Sequence, residues 1–187
     1  MTAPMRTAGK LIAQGRGLAP ALLARAAQVA LDWDTRCRSR FDVTDSTGRR
    51  LGVFLPRGQV VRGGDVLVAE DGALVRVVAA AQPVMVVRAC AAHGSPLDLL
   101  RAGYHLGNRH VPLELRADHL KLEPDPVLAA MLRALHLVVD EALAAFEPES
   151  GAYGGHASGG QTPAQPHAHP HGDTHDADER LHDRHGG

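Results

Sequence analysis

The first half of the chain carries short runs of hydrophobic residues that alternate with polar ones. Val29, Leu31 and Trp33 recur at every second position, which is the spacing of a half-buried strand. Similar runs follow, each bordered on at least one side by a turn-forming cluster of Gly, Asp, Ser or Pro, at residues 41–43, 51–55, 60–61, 66–68 and 74–78. The pattern predicts a small all-β module over residues 18–82, which opens with a short helix at 18–27 and follows a flexible arm, residues 1–17.

The second half of the chain alternates strands with helices. Ser95-Pro96 and Asp125-Pro126 are favourable helix starts, and Gly107-Asn108 is a favourable left-handed helix end. Strands are predicted at residues 84–89, 111–115, 119–122 and 137–146. The resulting order βαββαβ over residues 83–148 predicts a ferredoxin-like domain, with a hinge at Gln82-Pro83. The predicted fold class is therefore α+β.

The hydrophobic pattern ends at the last forty or so residues. From Glu149 onward the chain contains no Val, Ile, Met, Phe or Trp. Such a segment cannot offset its conformational entropy by burying apolar surface, so residues 149–187 are predicted to be a disordered tail.

Composition excludes several classes of function. With 20 Lys and Arg against 21 Asp and Glu, the chain lacks the basic surplus of a nucleic-acid-binding protein. No apolar run reaches the roughly 18–20 residues of a membrane span, and the N-terminal residues resemble no signal peptide, so we expect no membrane association and a cytoplasmic location. Cys37 and Cys90 form no Cys-x-x-Cys pair, so the sequence predicts neither a zinc knuckle nor a disulfide framework.

Histidine and acidic residues dominate the tail. Imidazole is a ligand for nickel, copper and zinc, and neighbouring carboxylates favour a divalent cation, but the tail alone does not select among these metals. The candidate metal ligands in the tail are His156, His167, His169, His171, His175, His182 and His185. A disordered segment exchanges metal quickly, which suits capture and storage better than catalysis.

Residues 104–112, Tyr-His-Leu-Gly-Asn-Arg-His-Val-Pro, form the most informative segment outside the tail. They contain a helix end, a cap and the entry to a strand, and they resemble the signature of the UreE family of urease accessory metallochaperones. Residues 51–67 resemble the N-terminal β module of that family, and residues 146–153 resemble the end of its metal-binding domain. The resemblance covers about residues 28–153, and a histidine-rich tail is a further trait of the family.

The resemblance implies a nickel chaperone rather than an enzyme. It implies a homodimer through the C-terminal domain, with His110, the histidine of the Gly-Asn-Arg-His motif, as the central Ni(II) ligand. A two-fold axis brings two copies of one residue together, so one histidine per chain suffices for such a site. By resemblance, nickel passes to a urease accessory GTPase and to the apo-urease complex for assembly of the urease active site.

Other interpretations stay open at this point. The same tail fits a general zinc, copper or nickel buffer without a dedicated client. A metallohydrolase needs three fixed ligands and a general base, and the folded part contains no HExxH motif. Arginines at positions 36, 38, 40, 49 and 50 form either a docking surface for a peptide or protein, or a solvated face. His105 and His119 are candidate additional ligands, His136 reads as structural, and His93 receives no role.

Overall fold

The structure, a computed structural model, describes residues 5–150. The remaining residues, which include the tail from residue 151 onward and all seven of its candidate ligands, lie outside the described part. Within it the protein is a mixed α+β chain with two sheets, one from each half of the sequence.

The first sheet has six strands in the order β2-β6-β5-β1-β4-β3. The strands are β1 (Arg6–Ile12), β2 (Ala27–Leu31), β3 (Arg40–Thr44), β4 (Arg50–Phe54), β5 (Val66–Ala69) and β6 (Leu74–Ala79). Two short helices, α1 (Pro20–Arg25) and α2 (Trp33–Cys37), and a 3₁₀ turn at Ala13–Gly15 connect them. The buried face is almost entirely aliphatic, with Val53, Val75 and Val77 fully buried.

The expectation of a flexible arm over residues 1–17 is wrong for residues 6–12. These residues form β1, which lies inside the sheet, parallel to β4 and antiparallel to β5. Its sequence, RTAGKLI, has few large apolar side chains, so no period-2 signal is visible. The strand is fixed by main-chain pairing on both sides, with the small Ala8 fully buried against its neighbours.

Two smaller predictions in this module are also corrected. Trp33 does not extend β2; it begins α2, because the Asp32 carboxylate accepts a hydrogen bond from Thr35 N at 2.9 Å and caps the helix. Residues 60–61 form no strand, although Val61 is fully buried and its N–H donates to Arg36 O at 2.9 Å. Burial alone produced the strand-like pattern there.

The second half of the chain follows the predicted element order. Its elements are β7 (Ala81–Ala89), α3 (Pro96–Gly107), β8 (Glu114–Leu115), β9 (Leu120–Leu122), α4 (Pro126–Ala134) and β10 (Leu137–Ala145), and its four strands form the second sheet. The strand order is β10-β7-β9-β8 and every neighbouring pair is antiparallel. The core between helices and sheet includes Val87, Leu106, Leu122 and Leu132.

The expected hinge at Gln82-Pro83 is wrong. Both residues lie inside β7, which pairs with β10 along its whole length, and the Gln82 side chain accepts a hydrogen bond from Trp33 N at 2.7 Å. A proline near the start of a strand weakens the strand pairing only slightly, because it removes one N–H donor. The connection between the two sheets is therefore the single residue Ala80, between β6 and β7.

A segment after β10 joins the two halves of the chain. Phe146 is fully buried and meets the ring of Trp33 edge-on, with ring centroids 6.0 Å apart. The Glu147 carboxylate accepts hydrogen bonds from Arg36 Nη1 at 2.7 Å and from Gly63 N at 2.8 Å. Arg62 donates to Pro148 O at 2.6 Å. We call residues 146–150 the clasp, because it binds the first module to the second.

Candidate functional site

The candidate site lies at the C-terminal end of α3. The helix begins as predicted, with the Asp98 carboxylate accepting from Ser95 N at 2.7 Å. At the other end, His110 N donates to Gly107 O at 2.9 Å and Val111 N donates to Leu106 O at 3.2 Å. These two bonds define a Schellman motif, in which the residue before the last takes the left-handed conformation.

That left-handed residue is His110, with φ of 57°. The sequence predicted that Gly107-Asn108 would fill this position, but Gly107 is still helical and Asn108 is right-handed, at φ −62°. Glycine is the usual residue here, and a residue with a Cβ costs about 1–2 kcal/mol in this conformation. Gln14 and His136 are the other non-glycine residues of the described part in this conformation, so His110 is a candidate ligand because its imidazole is also exposed, and not through the strain alone.

His110 is exposed and lines an open groove of about 890 Å³. Leu100 and Tyr104, from successive turns of α3, are 69% and 67% exposed, and Leu115 of β8 is 47% exposed. Gly103 and Gly107 lie between them with no atom near their Cβ positions, so the groove stays open along the helix. Exposed apolar side chains gathered in one groove are typical of a binding surface.

The apolar pattern of α3 does not distinguish the face that packs on the core from the face that is exposed. The sequence grouped Leu97, Leu100 and Tyr104 as apolar positions, and all three are exposed in the structure. The core face is carried instead by Leu99, Ala102 and Leu106, which are buried. A helix that is apolar on more than one face, as this one is, signals a second contact surface, and that signal was present in the sequence.

The charges at the groove are largely compensated. Arg116 at its edge donates to the Glu114 carboxylate at 2.7 Å, and Lys121 pairs with the same group at 2.8 Å. Burial raises the pKa of Glu114, but hydrogen bonds from Lys121, from Glu147 N and from Arg116 outweigh it, so the pKa lies below its usual value. Glu114 is therefore an ionised structural anchor beneath the groove.

The other folded-part histidines do not join His110. His105 lines a separate pocket of about 410 Å³ with Asn108, Arg109, Met131 and Leu135. His119 Nδ1 lies 2.8 Å from Asp118 Oδ1, outside the groove. His136 is the left-handed residue that follows α4, with φ of 60°. Within residues 5–150, no three His, Cys, Asp or Glu side chains converge as a metal site. His110 therefore cannot complete a site from the described part of one chain.

The clasp reaches the same groove. Glu149 lines it, and Glu149 N donates to Leu113 O at 2.7 Å, which fixes the clasp along the groove wall. Ser150, the last described residue, accepts a hydrogen bond from Arg62 at 3.0 Å. The described chain therefore ends beside the groove that contains His110.

Comparisons with known proteins agree on one family. The profile of the UreE urease accessory protein C-terminal domain matches residues 82–177, and that of the UreE urease accessory protein N-terminal domain matches residues 9–80. A urease accessory protein UreE of Methylibium petroleiphilum is 73% identical over 156 residues, covering 83% of this chain and 72% of its own length. The UreE of Verminephrobacter eiseniae is 62% identical over 167 residues, covering 89% of this chain and 99% of its own.

The two-module fold and these matches define the chain as a urease accessory protein. It belongs to the UreE family. In residues 5–150, no helix is long and apolar enough to cross a membrane.

Proposed function

We propose that this chain is a cytoplasmic nickel metallochaperone, which captures Ni(II) and delivers it for assembly of the urease active site. The observation that carries the proposal is His110, an exposed imidazole held in a left-handed backbone conformation at an apolar groove. Family membership supports the link to urease. A urease accessory GTPase and the apo-urease complex are the proposed recipients, and the chain itself catalyses no reaction.

The proposed site forms between two copies of the chain. Leu100, Tyr104 and Leu115 supply exposed apolar area beside His110, and an isologous contact across them would bring two His110 side chains together. The strand order β10-β7-β9-β8 supports a ferredoxin-like second domain, whose helix α3 would form this interface. Two imidazoles leave coordination positions free, so the ion can be transferred by ligand exchange.

The tail is proposed to load this site. The described chain ends beside the groove at Ser150, and six extended residues to His156 span up to about 20 Å. His156 and the later tail histidines would collect Ni(II), with Zn(II) and Cu(II) as competing ions, and pass it to the pair of His110 side chains.

Titration calorimetry with Ni(II) tests this proposal on full-length variants. In the first variant, all seven tail histidines are replaced by alanine. We expect it to retain one tightly held nickel ion per two chains. Adding His110→Ala should abolish this binding of one ion per two chains, whereas adding His105→Ala, the matched control within α3, should leave it intact.

The outcomes separate the two candidate functions. A general metal buffer depends on the tail alone, so the tail variant would then lack the nickel ion that two chains share. Equal nickel binding with and without His110 would refute the central site. Light scattering on the same samples should give a dimer, and a monomer in the presence of nickel would contradict the two-fold arrangement.

A further inference from the structure

Two side chains of types that can ligate metals, Cys90 and His93, lie close together at the end of α3 opposite His110. Cys90 follows β7 directly, and His93 comes three residues later, in the loop that leads to α3. Their spacing is Cys-x-x-His, a variant of the Cys-x-x-Cys spacing that chelates metals. A Cys-x-x-Cys pattern does not recognise this pair, because its second side chain is a histidine.

The backbone of this loop closes tightly on Cys90. Gly94 N donates to Cys90 O at 2.7 Å, which makes one helical turn of residues 90–94. A Cβ at Gly94 would lie 2.4 Å from Cys90 N and 2.6 Å from Cys90 O, so only glycine fits. The turn therefore holds residues 90 and 93 on the same side.

Within this turn the thiol is surrounded by donors. The neighbouring backbone N–H groups of Ala92 and His93 and the His93 side chain favour the thiolate and lower the pKa of the thiol to about 7. His93 Nδ1 lies 3.8 Å from Cys90 Sγ. A thiolate is the form of cysteine that binds metal, so the turn favours the binding form near neutral pH.

The separation of the two atoms fits chelation of one ion. Tetrahedral bonds of about 2.3 Å to sulfur and about 2.0 Å to nitrogen put these two atoms about 3.5 Å apart. The observed 3.8 Å needs only a few tenths of an ångström of adjustment. Neither side chain is buried in the core, so an ion can reach both of them.

We propose that Cys90 and His93 form a second metal site, a thiolate–imidazole chelate for a borderline-soft divalent cation such as Zn(II), Co(II) or Ni(II). Coordination displaces the thiol proton, which passes to the solvent. No third His, Cys, Asp or Glu of residues 5–150 completes the site, so its remaining positions are for solvent or for donors from another molecule. Such an open site exchanges its ion, unlike a closed four-ligand structural site.

The site is independent of His110. The twelve residues of α3 separate the two, which at 1.5 Å per residue is about 18 Å. One ion cannot bind both ends of the helix in one chain. The chelate therefore goes beyond the proposed function and does not depend on the pairing of two His110 side chains.

Cobalt(II) absorption distinguishes this site from every histidine site in the chain. A thiolate bound to Co(II) gives a charge-transfer band in the near ultraviolet, which nitrogen and oxygen donors do not give. With Co(II) added to saturation, the full-length chain should show this band with the intensity of one cobalt-bound thiolate per chain. Cys90→Ser should remove the band. His93→Ala should lower the Co(II) affinity, measured from the growth of the band during titration, at least tenfold.

Two variants serve as matched controls. Cys37→Ser removes the only other thiol, and burial raises the pKa of Cys37, so this change should leave the band unaltered. His110→Ala should also leave it unaltered, because this variant tests the proposed function separately. Circular dichroism on each variant confirms folding. The proposal is overturned if the intact chain gives no band, if the band survives Cys90→Ser, or if it depends on Cys37.

Discussion

Glu147 of the clasp offers a direct test of how the two modules are held together. Its carboxylate lies against the guanidinium of Arg36, a side chain with no exposed surface. Glu147→Ala removes the counter-ion of this buried charge and also leaves Gly63 N without its acceptor. We therefore expect a large loss of stability from a position that is itself partly exposed.

The size of the loss in unfolding free energy depends on which contacts the Arg36 guanidinium retains. Breaking a buried ion pair on one side costs about 3–5 kcal/mol. Arg36 still donates to Phe146 O and to Asp32 O, and its guanidinium carbon stays 5.3 Å from the centre of the Trp33 ring. The Glu147 side chain is 28% exposed, so water can enter and solvate part of the charge. We expect Glu147→Ala to lower the free energy of unfolding by about 2–3 kcal/mol.

Urea unfolding followed by circular dichroism, with a chelator present, measures this change. Glu149→Ala is the matched control: its side chain is exposed, so it should change the unfolding free energy by less than about 0.5 kcal/mol. In an Arg36→Met background the buried charge is gone and only the partly exposed Arg62, 3.4 Å from Glu147, loses its partner, so Glu147→Ala should then cost about 1 kcal/mol or less. Equal costs in both backgrounds would refute the argument that the buried charge is responsible.

Two further predictions concern His110 and Glu114. His110→Gly should raise the unfolding free energy of the metal-free chain by about 0.5–1 kcal/mol, because glycine accepts the φ of 57° without strain. His110→Ala keeps the strain, so a glycine variant that unfolds at lower urea than the alanine variant would contradict the left-handed assignment. The lowered pKa of Glu114 means that its contribution to stability is complete above about pH 4.5 and is lost as the pH falls through the folded-state pKa. Glu114→Gln should therefore flatten the stability profile below pH 4.5, and an unchanged acid profile would show that another carboxylate controls it.

Local patterns carried much of the fold. The caps at Ser95 and Asp125 fixed the starts of both long helices, because the cap, the following proline and the apolar spacing all lie within a few residues. The order βαββαβ and the mixed α+β class follow from the same local signals. These local signals do not predict which strands pair when the strands are far apart in the sequence. β1 lacks an apolar pattern and is a strand only because β4 and β5 flank it.

The candidate sites divide in the same way. Residue types identified the histidines of the tail as candidate metal ligands, and the resemblance of residues 104–112 to the UreE signature named both the family and His110. Conformation and surroundings required the folded chain. The left-handed backbone of His110, the exposed face of α3 and the approach of His93 to Cys90 each depend on where a helix stops or a turn closes. Sequence specifies which chemical groups are available, whereas tertiary packing decides which of them are buried and which are left to bind a ligand.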